Sequence, residues 1–221
     1  MNVTSRTTER SPRMRTVLVA RHGEVVSNGL KRYAGGSSEP LTERGAHQAE
    51  ALATLVAEQG IREVWTSEVA RAVQTAQIVS ARLGVPLRRD PRLNEMILGP
   101  WEGLTEEEVE RQFPEAYRLW NHRPDQLALD GRETLAALAR RVVPALEDAG
   151  RAEAAVLCVT HVAPVRVAAL SVLGLPLSRY KGLQVPNGEC FRFDLTCRSV
   201  ERMAGGSLAV ELARPRAVPA A

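Results

Sequence analysis

Residues 16–23, Thr16-Val17-Leu18-Val19-Ala20-Arg21-His22-Gly23, begin as an apolar run and end in chemistry. A short, nearly continuous run of β-formers reads as a strand covered on both faces, as in parallel sheets. Here the run stops abruptly at a guanidinium, an imidazole and a glycine. In open α/β sheets, ligands bind beyond the carboxyl ends of the strands. Arg21-His22-Gly23 therefore stands where such a sheet presents its reactive groups.

The same pattern recurs along the chain. Ala155-Val156-Leu157-Cys158-Val159-Thr160 is another apolar strand, followed at once by His161. Glu63-Val64-Trp65-Thr66-Ser67 is a third, followed by Arg71. Residues 85–90 are a further candidate, and residues 190–195 and 208–213 read as two later strands that close the sheet. Helices fill the intervals. Thr42 caps one over 43–59, with Ala46, Ala49, Leu52, Ala53 and Val56 on one face and Gly60 as its stop. Val69, Val73, Ala76, Ile78, Val79 and Leu83 give the inward face of a second over 69–83, ended by Gly84. Thr105-Glu106-Glu107-Glu108 has capping-box spacing and starts a short helix broken near Pro114. Residues 104–132 form a mostly helical excursion. Helices over 133–149 and 162–173 complete the alternation. The predicted fold is a three-layer α/β/α sandwich with a mainly parallel central sheet.

The chain has 221 residues, which suits one domain over 16–213 between loose tails at 1–15 and 214–221. Its 29 basic residues exceed its 26 acidic ones, but six of the arginines lie in the tails against the single acid Glu9. The body is therefore close to neutral, which argues against a basic nucleic-acid platform. No apolar run approaches the roughly 18–20 residues of a membrane span. The first fifteen residues lack the apolar core of a secretory signal. The three cysteines have no metal-ligand spacing and read as free thiols of a reducing cytoplasm.

On the parallel-sheet reading, Arg21, His22, Ser67, Arg71 and His161 meet at one sheet edge. Glu95 joins them from a loop setting, where Glu24, Glu39 and Glu102 are alternatives. That set suffices for phosphoryl transfer without a metal. Arginines give paired hydrogen bonds to phosphate oxygens. A neutral imidazole can attack phosphorus, and the labile P–N bond is then open to water. A carboxyl group of raised pKa can protonate the leaving alkoxide.

These residues also carry a resemblance. Six blocks run in order: RHGEVVSN (21–28), YAGGSSEPLTERGAHQAEAL (33–52), WTSEVARAVQTAQ (65–77), RLNEMILGPWEG (92–103), DGRETL (130–135) and VTHVAPVR (159–166). In this the chain resembles the histidine phosphatase, or phosphoglycerate-mutase-like, superfamily over most of residues 16–195. The resemblance implies that His22 is the nucleophile and that Arg21, Arg71 and His161 grip the phosphoryl oxygens. It implies that Glu95 is the proton donor and then the base that activates water. Asn28 would be a further phosphate contact, and Gly23 would let the backbone approach the phosphate. Tyr33, Trp101 and Trp120 are candidates to line a substrate pocket. No cofactor and no metal are implied, and the partner is a small phosphomonoester.

The superfamily holds phosphatases and mutases. A mutase needs extra cations in the insertion after the acid to hold a doubly anionic intermediate. Here that segment opens with Glu106, Glu107, Glu108 and Glu110, and the WEG and G-x-E-T patterns look like the cofactor-independent phosphatases. Hydrolysis is the expectation, with mutase-type transfer and a non-catalytic phospholigand binder as alternatives. Two positions depart from the family pattern. Gly36 stands where an aromatic is common. Arg132 stands where a second glycine is common, and it is either a solvated arginine or a contact for a second anionic group on the substrate. A homodimer is one possible oligomeric state that the sequence leaves open.

Overall fold

A computed structural model describes residues 15–204. The expected strand over 208–213 and nearly all of both tails lie outside the described residues. Six strands form one sheet in the order β3-β2-β4-β1-β5-β6. These are β1 (Thr16–Arg21), β2 (Ile61–Thr66), β3 (Leu87–Arg89), β4 (Ala155–Thr160), β5 (Cys190–Asp194) and β6 (Ser199–Arg202). β1, β2, β3 and β4 pair in parallel, while β5 runs antiparallel to β1 and β6 antiparallel to β5. The sheet is thus mixed, with a parallel core and an antiparallel flank.

Alternation along the central strands sorts the core into two layers. Leu18 and Ala20 of β1, with Leu157 and Val159 of β4, pack under α2 (Glu43–Val56) and α3 (Ala70–Leu83). Val17 and Val19, with Val156 and Cys158, face α6 (Leu135–Arg151) and α7 (Val162–Leu173). The excursion after the 92–103 segment supplies α4 (Glu106–Gln112) and α5 (Pro114–His122). A four-residue α1 (Val26–Gly29) follows β1.

Local signals explain most boundaries. The Thr42 side chain accepts from the Gly45 N–H at 3.0 Å and opens α2. Thr105 and Glu108 close a reciprocal capping box, at 3.2 and 2.8 Å. Pro114 separates α4 from α5, because it suits a first helical turn and no later one. Gly84 and Gly174, in the left-handed region, end α3 and α7. One face differs from expectation. α3 buries Arg71 and Thr75 beside Ala72, Val73, Ala76 and Val79, whereas Ile78 and Leu83 stay partly exposed. The polar pair is drawn inward by partners at the sheet edge, which apolar spacing does not register.

The register sets the position of the site. Arg21 pairs with Thr160, and Thr66 with Val159, so β1, β2 and β4 end level. Gly23 then passes against the first turn of α2. A Cβ on Gly23 would collide with the Gly45 carbonyl, and one on Gly45 with the Glu24 carbonyl. The room left by the missing Cβ of Gly23 is therefore taken by backbone of α2, a different reason for glycine from the expected approach to phosphate. Gly45→Ala gains about 1 kcal/mol of helix propensity but forces backbone apart, an overpacking cost of about 1–3 kcal/mol or more. Sterics win, so Gly45→Ala and Gly23→Ala lower Tm by several degrees in thermal melts. Gly36→Ala, with open space around its Cβ position, leaves Tm within about a degree.

Candidate active site

His22 follows β1 directly and is 2 % exposed. Its backbone is fixed on three sides: its N–H donates to the Thr160 carbonyl at 2.9 Å, and its own carbonyl accepts from the Gly188 N–H at 3.1 Å and the Asn187 side chain at 3.2 Å. The imidazole Nδ1 lies 2.6 Å from the Gly23 carbonyl. A carbonyl can only accept, so Nδ1 carries the proton and Nε2 keeps the lone pair. Gly23 is held in turn, since its N–H donates to the Thr75 hydroxyl at 3.0 Å. That hydroxyl donates to the Arg71 carbonyl at 2.8 Å, within α3.

Arg71 and His161 complete the inner cluster. The Arg71 Nε–H donates to His22 Nε2 at 3.1 Å. Its two Nη groups reach the Ala34 carbonyl at 3.0 Å, the Gly35 carbonyl at 2.8 Å, and the carbonyl and hydroxyl of Ser37 at 3.3 Å. His161 caps the gap between β4 and α7, with its ring centroid 5.0 Å from that of His22 and Nε2 2.8 Å from the Ser67 hydroxyl. The Ser67 oxygen also accepts from the Val69 N–H at 3.0 Å. Two buried polar atoms of the cluster, Arg21 Nε and His161 Nδ1, have no hydrogen-bond partner among the described residues. Unsatisfied buried groups of this kind are costly, and an anion's oxygens offset that cost.

Electrostatics follow from burial. Desolvation first, then Arg21 and Arg71, hold His22 well below the usual histidine pKa of 6.5. His161 is lowered by the same desolvation, then by His22, Arg71 and Arg21. Glu95 moves the other way: desolvation raises its pKa above the ordinary 4.5, against the opposing pull of the Met96 N–H, Arg71 and Arg21. The Met96 N–H donates to Glu95 Oε1 at 2.8 Å. The loop that carries Glu95 is clamped from α6. Arg141 donates to the carbonyls of Arg92 at 2.9 Å, Asn94 at 2.7 Å and Glu95 at 3.0 Å, while a two-pronged ion pair at 2.8 Å ties it to Glu133.

A cavity of about 340 Å³ opens beside this cluster, with Arg21, His22, Asn28, Tyr33, Glu95 and Trp120 among its lining residues. Asn28 Oδ1 accepts from the Val25 N–H at 3.2 Å and the Asn187 amide at 2.9 Å, which turns the Asn28 NH2 group away from both donors. The other carboxylates weighed in the sequence are engaged elsewhere: Glu24 with Arg44 at 3.4 Å, Glu39 with the Ser27 N–H at 3.4 Å, and Glu102 with the Gly35 N–H at 2.8 Å.

Two expected pocket residues lie behind the wall. Trp101 is fully buried, with ring centroids 5.5 Å from Tyr33 and 6.0 Å from Trp120. Arg132 is neither solvated nor part of the cavity lining. It is 7 % exposed, with its guanidinium carbon 4.8 Å from the Trp101 ring centroid and 4.2 Å from that of Trp120. Cation–π stacking draws it into the aromatic layer. Asn187, Thr75 and Arg141 were not singled out in the sequence, since each acts only through a fold that brings distant segments together. Among the described residues no group of three or more His, Cys, Asp or Glu is arranged to hold a metal ion. No helix among them is long and apolar enough to cross a membrane.

Comparison with known proteins places this geometry. The family model "histidine phosphatase superfamily (branch 1)" matches residues 17–201. The chain is 30 % identical over 166 residues to phosphoserine phosphatase 1 of Hydrogenobacter thermophilus, covering 74 % of this chain and 79 % of that one. It is 33 % identical over 187 residues to a probable phosphoglycerate mutase of Serratia proteamaculans, covering 82 % and 85 %. Among solved structures, a mycobacterial glucosyl-3-phosphoglycerate phosphatase in complex with VO3 superposes with a TM-score of 0.73 at 26 % identity, over 81 % of this chain and 90 % of that one. A putative α-ribazole-5′-phosphate phosphatase from Escherichia coli gives 0.74 at 26 % identity, over 85 % and 93 %. Family model, sequence relatives and fold agree on one assignment: the chain belongs to the histidine phosphatase superfamily.

Proposed function

We propose that hydrolysis runs through a phosphohistidine on His22, with Glu95 as the acid and then the base. The observation that carries this reading is the His22 tautomer. The Gly23 carbonyl accepts a hydrogen bond from Nδ1–H at 2.6 Å, so the lone pair sits on Nε2 in a ring that burial keeps neutral. In the first step Nε2 attacks phosphorus, the P–N bond forms and the ester P–O bond breaks. The departing oxygen takes the Glu95 proton. In the second step the Glu95 carboxylate removes a proton from water as its oxygen attacks phosphorus. The P–N bond breaks, and inorganic phosphate leaves with Glu95 protonated again. Arg21 faces the incoming oxygens, and Arg71 exchanges the His22 nitrogen for a phosphoryl oxygen.

The ordinary pKa values of histidine and glutamate are in the wrong order for this scheme, because Glu would ionise before His became neutral. Burial shifts the two groups toward coexistence: His22 loses its proton at lower pH and Glu95 keeps its proton to higher pH.

Mutase-type transfer is the second reading, supported by the relative named a probable phosphoglycerate mutase. The phosphoserine phosphatase and the glucosyl-3-phosphoglycerate phosphatase among the relatives and structural neighbours are hydrolases by name. Hydrolysis is favoured on that ground. A reducing cytoplasm suits the three free cysteines, of which Cys158 and Cys190 are buried.

With p-nitrophenyl phosphate as substrate, His22→Ala lowers kcat by about a thousandfold or more. Turnover that survives the substitution overturns the scheme. The kcat/KM profile rises with pH as His22 deprotonates and falls as Glu95 ionises, and Glu95→Gln removes the falling limb. That variant slows an alkyl phosphate by about 10²–10⁴-fold but an aryl phosphate far less, because only the poor leaving group needs the proton. EDTA leaves steady-state turnover unchanged, whereas a loss restored by Mg²⁺ counts against a mechanism built on side chains alone.

A further inference from the structure

The cavity is larger than a phosphoryl group requires, and its lining carries several cations. Besides Arg21, the lining cations are Arg32, Arg166 and Lys181, against Glu95 and Glu106. Arg32 is neutralised by Glu108 at 3.1 Å. Arg166 is placed differently. Its Nε–H donates to the Leu183 carbonyl at 2.8 Å, and its guanidinium carbon lies 5.0 Å from the centroid of the buried Tyr180 ring. These two contacts fix the plane of the fork. Among the described residues no carboxylate lies within ion-pair distance of Arg166. Arg166 and Arg21 are close enough to repel each other, as the lowered pKa of Arg21 records after its larger desolvation effect. Lys181, from the turn Leu177–Gly182, stands beside Asn121 with its ammonium 5.3 Å from the Trp120 ring centroid.

A preorganised guanidinium without a counter-charge, on the wall of a substrate cavity, is a receptor for a planar or tetrahedral anion. The phosphoryl group is already engaged by His22 and Arg21 in the phosphatase reading. We propose that Arg166, with Lys181 beside it, binds a second anionic group on the alcohol portion of the substrate. The proposal rests on the phosphatase reading above and refines it: the preferred substrates are small phosphomonoesters that also carry a carboxylate or a second phosphate. This role falls to Arg166 and not to Arg132, which is sequestered behind Trp120.

The test compares small phosphomonoesters that differ chiefly in the distal group. D-3-Phosphoglycerate carries a carboxylate where glycerol 3-phosphate carries a hydroxymethyl group, glycerol 1,3-bisphosphate carries a phosphate there, and phosphoethanolamine, one carbon shorter, carries a cation. The wild-type protein turns over one of the two compounds with a distal anion at least about tenfold better in kcat/KM than glycerol 3-phosphate, with phosphoethanolamine poorest. Which of the two leads identifies the second anion as carboxylate or phosphate. Arg166→Ala brings the ratio to glycerol 3-phosphate close to one, and Arg166→Lys, which keeps charge without the fork, gives an intermediate value. A ratio unchanged by Arg166→Ala, or a wild-type preference for phosphoethanolamine, overturns the proposal. Thermal melts check that the variants fold, and the lysine variant carries the test if the alanine variant does not. Calorimetric Kd ratios for the same compounds, measured in a His22→Ala background with and without the Arg166 substitutions, decide the matter independently of turnover. Absence of p-nitrophenyl phosphate hydrolysis by the wild-type protein counts against the catalytic scheme, whereas absence of a Kd preference for a distal anion in the His22→Ala background, or a preference that Arg166→Ala leaves unchanged, counts against the anion subsite.

Discussion

A buried imidazole can serve as a nucleophile only if its single proton has somewhere to go that is not the attacking nitrogen. In this protein that place is Nδ1, where the proton is held by a hydrogen bond to the carbonyl of Gly23 at 2.6 Å. The requirement propagates outward. The Gly23 peptide must be oriented, so its N–H is tied to Thr75 on α3 and its Cα passes against Gly45 on α2. The His22 backbone must be fixed, so β1 pairs with β4 up to Thr160 and the turn at Asn187 and Gly188 closes over it. Two helices of one layer, two strands and a turn are thus engaged in fixing one tautomer.

The second organising effect is desolvation. The same burial pushes His22 and His161 toward neutrality and Glu95 toward protonation. Among the described residues Arg21, Arg71 and Arg166 have no carboxylate within ion-pair distance, although Glu95 acts on Arg21 and Arg71 from further off, in a body that is otherwise nearly neutral. Local cation surplus in a water-poor cleft substitutes for the global positive charge seen in proteins that bind polyanions. Anion affinity in this design depends on three or four placed guanidinium and ammonium groups rather than on net charge.

What the sequence made legible was local. Strand ends at Arg21, Thr66 and Thr160, caps at Thr42 and Thr105 and stops at Gly84 and Gly174 all follow from short-range rules, and parallel order then brings His22, Arg71 and His161 together. The inward face of α3 was harder, because Arg71 and Thr75 are polar and apolar periodicity counts them as solvent-facing. The clamp of Arg141 on the Glu95 loop, some 46 residues away in the chain, leaves no local trace. Trp101 and Arg132 show the converse. Residue types suited to a binding site were absorbed by stacking, which no linear pattern separates from ligand contact.

The hold of Arg71 on the segment Ala34–Ser37 has a thermodynamic corollary. Every nitrogen of that guanidinium already has an acceptor within the protein: two carbonyls, a serine and the nucleophile itself. An anion that takes the Arg71 Nε–H in place of His22 leaves these backbone contacts intact, so the loop holds the guanidinium plane for the ligand and ligand affinity and the order of this glycine-rich loop are linked functions. By reciprocity, whatever stiffens residues 34–37 around Arg71 strengthens anion capture by the same factor by which anion capture orders the loop. The glycines of that loop therefore act on affinity from outside the ligand's reach, through the equilibrium they set for a side chain anchored on a different helix.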